Sequence, residues 1–368
     1  MNKPYRIEVL DGWRGIAILL VLIGHFTFSD WIWEERMGVD VFFVLSGLLM
    51  AKILFVDRMS LKDFYIRRFS RVIPALFVFL VIATALSLAL KYDFSVLEIV
   101  SSLFFLRTYI PAEPEYFTTP TPTGHLWSLS VEEHSYILMS LISVILIARR
   151  KVAYVLIGIY TLSVAVNLFN ISNMSAQQFE YSLIRTESAI GFIAFSAGYS
   201  LLKREKNFTL PKYTTLLCLV LAFACYIKAV PIWLTFLLCP VLLGVAVNHL
   251  TESGSLLQTA LKNPVIRYLG IFSYSIYLWQ QIFYKLHYAL PMGQITGFFA
   301  SIGVGIASYY LLENPVRQFI NNKWSSSPSY RSHRLRNNTQ AERQGEKTSS
   351  TTMSPSQSDK TLREDKTH

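Results

Sequence analysis

Arg14 and His25 interrupt the first apolar run of the chain, eleven residues apart in Asp11-Gly-Trp-Arg-Gly…Gly-His25. Eleven residues are about three helical turns, so a helix carries both on one face, separated by roughly 16 Å along its axis. Imidazole changes charge near neutral pH, and a His in apolar surroundings is suited to moving protons. The bland readings are a His bonded to a neighbouring helix and an Arg anchoring the membrane interface. The second run opens Gly38-Val-Asp-Val-Phe-Phe-Val-Leu-Ser-Gly47. Asp40 falls at a depth like that of His25 and is a candidate for holding the imidazole in one tautomer. Ser46 is about 240° round the helix from Asp40. Both cannot face His25, which argues against a Ser-His-Asp hydrolase. Ser46-Gly47 reads instead as a point of close helix packing.

The loop expected after this run reads Lys62-Asp-Phe-Tyr-Ile-Arg-Arg-Phe-Ser-Arg71-Val-Ile-Pro74. Arg67, Arg68 and Arg71 have two readings. They are a charge anchor, or they bind phosphate, which guanidinium grips in bidentate fashion. The fourth run begins His125-Leu-Trp-Ser-Leu-Ser-Val-Glu-Glu-His-Ser-Tyr136. His125, Ser128, Glu132 and Ser135 recur at steps of 3, 4 and 3, which is one polar stripe on a helix. A stripe of this kind must face the bundle interior or a water-filled cavity. Glu133 and His134 point away from it. Weaker signals are Arg185 with Glu187, the polar segment Ser273 to Gln281, and Glu313 close to an Arg before Pro315 stops the last helix. His25, His125 and His134 lack paired metal-ligand spacing, and no Gly-rich phosphate loop is present, so no metal site is expected.

The elements that must position these groups follow from composition. The chain has 368 residues, 52% hydrophobic and 16% charged, where soluble proteins carry about a quarter charged. Mean hydropathy is +0.37. A soluble globule cannot hide so much apolar surface. With three cysteines, a disulfide-stapled module is excluded as well. The expected fold is all-α: a polytopic membrane bundle of about ten spans, near 11–29, 38–56, 72–90, 125–148, 152–170, 182–202, 213–229, 231–250, 265–287 and 294–312. Each run approaches the roughly 20 apolar residues that cross a bilayer. A shorter stretch near 95–110, followed by four prolines, is expected to be re-entrant or interfacial. Twenty-eight of the 34 basic residues fall on one side if the N-terminus is cytoplasmic. That predicts N-in and C-in and makes the net charge of +10 topogenic rather than a nucleic-acid signal. Residues 1–322 form the membrane domain, and 323–368, rich in Ser, Thr, Asn, Gln and charge, read as a disordered cytoplasmic tail. Cys218, Cys225 and Cys239 read as small buried hydrophobes.

Six segments resemble, in order, the integral-membrane acyltransferase family of type 3. They are Leu10-Asp-Gly-Trp-Arg14 with His25, Gly38 to Gly47, Phe64 to Pro74, Leu126-Trp-Ser-Leu-Ser-Val-Glu-Glu133, Ser273-Tyr-Ser-Ile-Tyr-Leu-Trp279 and Glu313-Asn-Pro-Val-Arg317. They cover about residues 5–320. Two positions depart from the family pattern. Gln280 stands where the family usually has His, and His134-Ser-Tyr136 where it has Gln-Phe-Tyr.

The resemblance implies transfer of an acyl group, acetyl by family precedent, from cytosolic acetyl-CoA to a hydroxyl of a surface glycan such as lipopolysaccharide O-antigen. It implies residence in a bacterial inner membrane, with membrane lipids as surroundings and no nucleic-acid partner. The residues then take roles. Arg14, Arg67, Arg68 and Arg71 bind the acyl donor. His25 acts as general base or acyl carrier, oriented by Asp40 or Glu132. His125 and Ser128 face the acceptor, and His25, Asp40, His125 and Glu132 are all expected at the outer face. A transporter or flippase using the polar stripe is the alternative. The lack of a visible internal repeat counts against it, and the number of buried ionisable groups counts against a purely structural scaffold.

Overall fold

The computed structural model describes residues 8–27, 31–92, 95–110, 121–146, 148–289 and 293–324. The first helix, α1 (Glu8–Phe26), carries the Arg14–His25 face, and α2 (Glu34–Met50) runs on through a π-turn to Val56. Next come α3 (Leu61–Ala89), the short α4 (Val96–Leu103) and α5 (Trp127–Ile145), entered through a 3₁₀ turn at Gly124–Leu126. The chain continues with α6 (Arg149–Asn173), α7 (Ala176–Ser182), α8 (Thr186–Lys206), α9 (Thr214–Cys225) and α10 (Ile232–Asn248). Last are α11 (Ser255–Leu261), α12 (Pro264–Ala289), α13 (Gln294–Ser308) and, beyond a π-turn, α14 (Asn314–Trp324). Among the described residues the only strand-like pairing is one bridge between Ile32 and Ile227. The fold is all-α.

A helix occupies each of the ten expected runs. Among the described residues five stretches are long and apolar enough to cross a membrane: Glu8–Phe26, Glu34–Val56, Leu61–Ala89, Arg149–Asn173 and Gln294–Trp324. The helices α5, α8 and α12 are of comparable length but carry polar side chains through their middles. The 95–110 stretch yields only α4, about 12 Å long and too short to span. The expected tail beyond Trp324 lies outside the described residues.

Two boundaries differ from expectation. The arginine segment is not a loop, because α3 starts at Leu61. Ser60 caps it, its hydroxyl accepting from the Asp63 N–H at 3.1 Å, and Asp63 complements the helix dipole. Phe64 is buried one turn in and anchors this end. Pro74 is carried inside the helix. Nor does Pro315 end the last helix. The helix continues through the π-turn Tyr309–Glu313, and Pro315 takes the second position of α14 directly after it, where the wider turn accommodates the proline ring. The α14 segment packs on α3.

Helix α1 is the hub. It packs on α2 and on α12, while α8 binds α2, α6 and α10. The α1–α12 contact is close because glycines meet backbone: a Cβ on Gly270 would run into the Asp11 carbonyl, and one on Gly15 into that of Ile266. Small residues at helix crossings are how backbones approach within lipid. The core is divided. One apolar cluster centres on α1, α2, α8 and α10, with Ile18, Val44, Phe192 and Leu243 inside it. A second joins α3, α5 and α12 through Leu76, Phe79, Leu126 and Leu278. The substitution Gly270→Val should lower the thermal midpoint of the detergent-solubilised protein by the equivalent of about 1–3 kcal/mol of overpacking. A methyl at Gly158, on the open face of α6 with nothing within 4 Å, should leave stability unchanged or raise it by up to about 1 kcal/mol.

Candidate active site

Two cavities open in the bundle. The first, about 490 Å³, lies where α2, α3, α5, α12 and α14 converge. Five arginines line it: Arg14 from α1, Arg67, Arg68 and Arg71 from α3, and Arg317 from α14, against one acidic side chain, Glu132. Arg67 and Arg71 are four residues apart and so share a face of α3. Arg68 is held by two carboxylates, its Nη2 2.7 Å from Glu132 Oε2 and its Nε 2.5 Å from Glu133 Oε1. Its guanidinium lies over the Tyr136 ring at 4.3 Å. The Ser46 hydroxyl donates to Glu132 Oε1 at 2.6 Å. Arg14 lies 3.5 Å from Asp11, and Arg317 3.5 Å from Glu313. Arg71 makes no ion pair among the described residues. The five arginines and the four carboxylates paired with them, Asp11, Glu132, Glu133 and Glu313, leave this region positive by one formal charge.

The second cavity, about 410 Å³, holds His25 and His125 with Arg36, Gln281, Tyr284 and Lys285. The His25 ring packs on Tyr284 with centroids 4.7 Å apart. Its Nδ1 is buried with no hydrogen-bond partner among the described residues. His125 packs on Tyr277 at 5.2 Å and on Phe79 at 5.6 Å. Both of its ring nitrogens are likewise unmatched among the described residues. Buried polar atoms nearly always find a partner, so the His25 Nδ1 and the two His125 nitrogens beside one cavity are open to a polar ligand.

The helical spacing of Arg14 and His25 places them at different cavities, with the apolar middle of α1 between. The other expected partners are arranged differently. Asp40 does not meet His25. It is fully buried and accepts from Arg36 Nε at 3.0 Å and from the Tyr226 hydroxyl at 2.8 Å. The guanidinium so fixed also donates to the Leu183 carbonyl at 3.1 Å. Glu132 does not lie at the His25 end either. The α5 stripe runs about 10 Å from His125 to Glu132, far enough for its two ends to open into different cavities. His125 borders the His25 cavity, and Glu132 belongs with Arg68. Ser128, between them, lines the first cavity and meets the Tyr277 hydroxyl at 2.6 Å.

Sequence reasoning gave no role to Tyr277, Arg36, Lys285 or Arg317. Arg317 sits in the motif after Pro315, but a helix ending there would not carry it back to α3. Glu133 seemed to point off the stripe, yet the angle from Glu132 is one that a single guanidinium can bridge. Among the described residues no group of three or more His, Cys, Asp and Glu side chains converges as metal ligands would.

The family model described as "Acyltransferase domain" matches residues 7–314. The chain belongs to this acyltransferase family. Among similar proteins, one of Staphylococcus aureus (strain COL) named "Putative O-acetyltransferase" is 27% identical over 352 residues, which is 86% of this chain and 58% of that protein. The "Peptidoglycan O-acetyltransferase OatA" of Listeria monocytogenes is 26% identical over 355 residues, 86% of this chain and 57% of that protein. The "O-acetyltransferase OatA" of Staphylococcus aureus (strain NCTC 8325) is 30% identical over 163 residues, 41% of this chain and 27% of that one. The acyltransferase chain thus spans little more than half the length of the first two relatives. No solved structure matches it.

Removing Arg68 from this acyltransferase leaves Glu132 and Glu133 without their common countercharge. Arg68→Leu should destabilise the folded protein by about 3–5 kcal/mol, the cost of breaking a buried ion pair from one side. Adding Glu132→Gln and Glu133→Gln should recover part of that loss. Thermal unfolding in detergent reads both.

Proposed function

We propose that the chain is a membrane O-acyltransferase that moves an acetyl group from acetyl-CoA to a glycan hydroxyl. The observation that carries this reading is the pairing of an arginine-lined cavity with a separate histidine-lined one on the same bundle. The ten expected runs are then the crossings, α9 being the shortest at about 18 Å, with both ends of the bundle on the cytoplasmic side. The arginine cavity opens toward the cytosol and the His25 cavity outward, across the cytoplasmic membrane of a bacterium. Arg14, Arg67, Arg71 and Arg317 receive the phosphates of the donor. Arg68, already neutralised by two carboxylates, holds α3 against α5 and so positions Arg67 and Arg71.

From there the pantetheine arm extends along α1 and carries the thioester toward His25, one helix face and roughly 16 Å away. The imidazole takes the proton of the acceptor hydroxyl. The hydroxyl oxygen bonds to the acyl carbon, the carbon–sulfur bond breaks, and the thiolate leaves and regains the proton from His25. In the variant route the imidazole itself takes the acyl group first and passes it on. The acceptor is a polysaccharide outside the membrane. Peptidoglycan, which the Listeria relative is named for, and lipopolysaccharide O-antigen, which the motif resemblance suggests, are the two to compare. His125 and Arg36 face that acceptor.

Membranes containing the protein, given labelled acetyl-CoA and each glycan, should place label on one of them. His25→Ala should reduce that transfer by about 10²–10⁴-fold while the protein still inserts and binds CoA. Transfer near the wild-type level would contradict the role of His25. Arg71→Gln should weaken CoA binding by about tenfold or more, the usual worth of a charged hydrogen bond, with the thermal midpoint unchanged. Unchanged affinity would mean that Arg71 only anchors α3 to the membrane face.

A further inference from the structure

The two cavities have two lining residues in common, Val39 and Tyr277. Val39 is buried on α2, and Tyr277 lies on α12. Tyr277 is pinned. Its hydroxyl lies 2.8 Å from the His125 carbonyl oxygen and 2.6 Å from the Ser128 hydroxyl, a three-membered cluster in which each hydroxyl has an acceptor. Its ring also packs on His125 at 5.2 Å and on Phe42 at 6.4 Å. Where the arginine chamber and the histidine chamber border each other, the side chains common to both linings are one isopropyl group and one phenol ring held through its hydroxyl.

We infer that Val39 and Tyr277 form the throat through which the thioester reaches His25, and that their spacing sets the size of acyl group the enzyme transfers. This rests on the acyl-CoA reading above. The charged part of the donor stays among the arginines, so the acyl group is the leading tip of whatever enters the throat. The throat offers that tip an apolar wall on one side and a ring on the other. Neither makes a hydrogen bond to it, so selection there is by bulk. The latch matters because a ring free to swing would not define a bore. Ser128 on α5 and the His125 carbonyl at the entry to α5 hold the ring from one side, which makes Tyr277 a positioning residue as well as a wall.

The test compares acetyl-CoA with butyryl-CoA as donors for purified wild type, Val39→Ala and Tyr277→Phe, with binding of CoA followed separately. Val39→Ala removes wall. Tyr277→Phe keeps the ring and removes the latch. Each should raise the butyryl-to-acetyl ratio of kcat/KM by about tenfold or more, the discrimination that one or two methylenes carry in an apolar pocket. CoA affinity, set in the arginine chamber, should stay within about twofold of wild type by the same account. A ratio unchanged in both variants, with CoA affinity retained, would overturn the throat. If Val39→Ala fails to bind CoA, Tyr277→Phe decides alone. A wild type that transfers neither acyl group to any glycan sinks the parent reading instead, and that result is visible before any variant is compared.

Discussion

Arg68 ties α3 to α5 through Glu132 and Glu133, at 2.7 and 2.5 Å. Charge inside a bilayer-spanning bundle is tolerated only when it is paired or faces water, and this one guanidinium satisfies two carboxylates at once. The rest of the site depends on it. The smaller apolar cluster, built on α3, α5 and α12, stands apart from the larger one on α1, α2, α8 and α10. The arginine cavity lies between them, with Ser46 of α2 bonded across it to Glu132 at 2.6 Å. The ion cluster therefore fixes the distance between the two halves of the wall. Arg67 and Arg71, on either side of Arg68 along α3, owe their place to it.

A second buried charge cluster does the same for the other cavity. Asp40 takes hydrogen bonds from Arg36 and Tyr226, linking α2 to the end of α9. Arg36 in turn lies over the Trp127 ring at 5.0 Å and the Phe236 ring at 4.7 Å, which draws in α5 and α10. Each cavity thus has a paired arginine that builds the wall. The imidazoles, the groups suited to proton transfer, are left with unmatched nitrogens.

Much of this was legible in the residues. Composition and hydropathy announced an all-α bundle, and the lengths of the apolar runs located most of its helices to within a few residues, the start of α3 at Leu61 being the main exception. The eleven-residue step from Arg14 to His25 carried over into two cavities because a straight helix preserves that spacing. What was not legible depended on which helix faces which. Asp40 and Glu132 look like partners for His25 when depth alone is considered. Depth says nothing of the angle round the bundle, and both carboxylates turn instead to arginines, which compensate them better in a low dielectric than an imidazole would. Pro315 misled for another reason. A proline suggests a stop, but the wider turn just before Pro315 accommodates its ring. Tyr277 was legible only as one member of the polar segment Ser273 to Gln281, which does line the cavities; its separate part depends on what stands on both sides of it.

The central claim is that donor and acceptor meet from opposite ends of one bundle. Reconstituted vesicles test it most directly. Labelled acetyl-CoA is supplied only on the side of the arginine cavity, and a soluble glycan fragment only on the other, in vesicles shown to be sealed to both. Label should appear on the glycan without either compound crossing, and reversing the two sides should abolish it. Label that forms only when donor and glycan share a compartment would contradict the account.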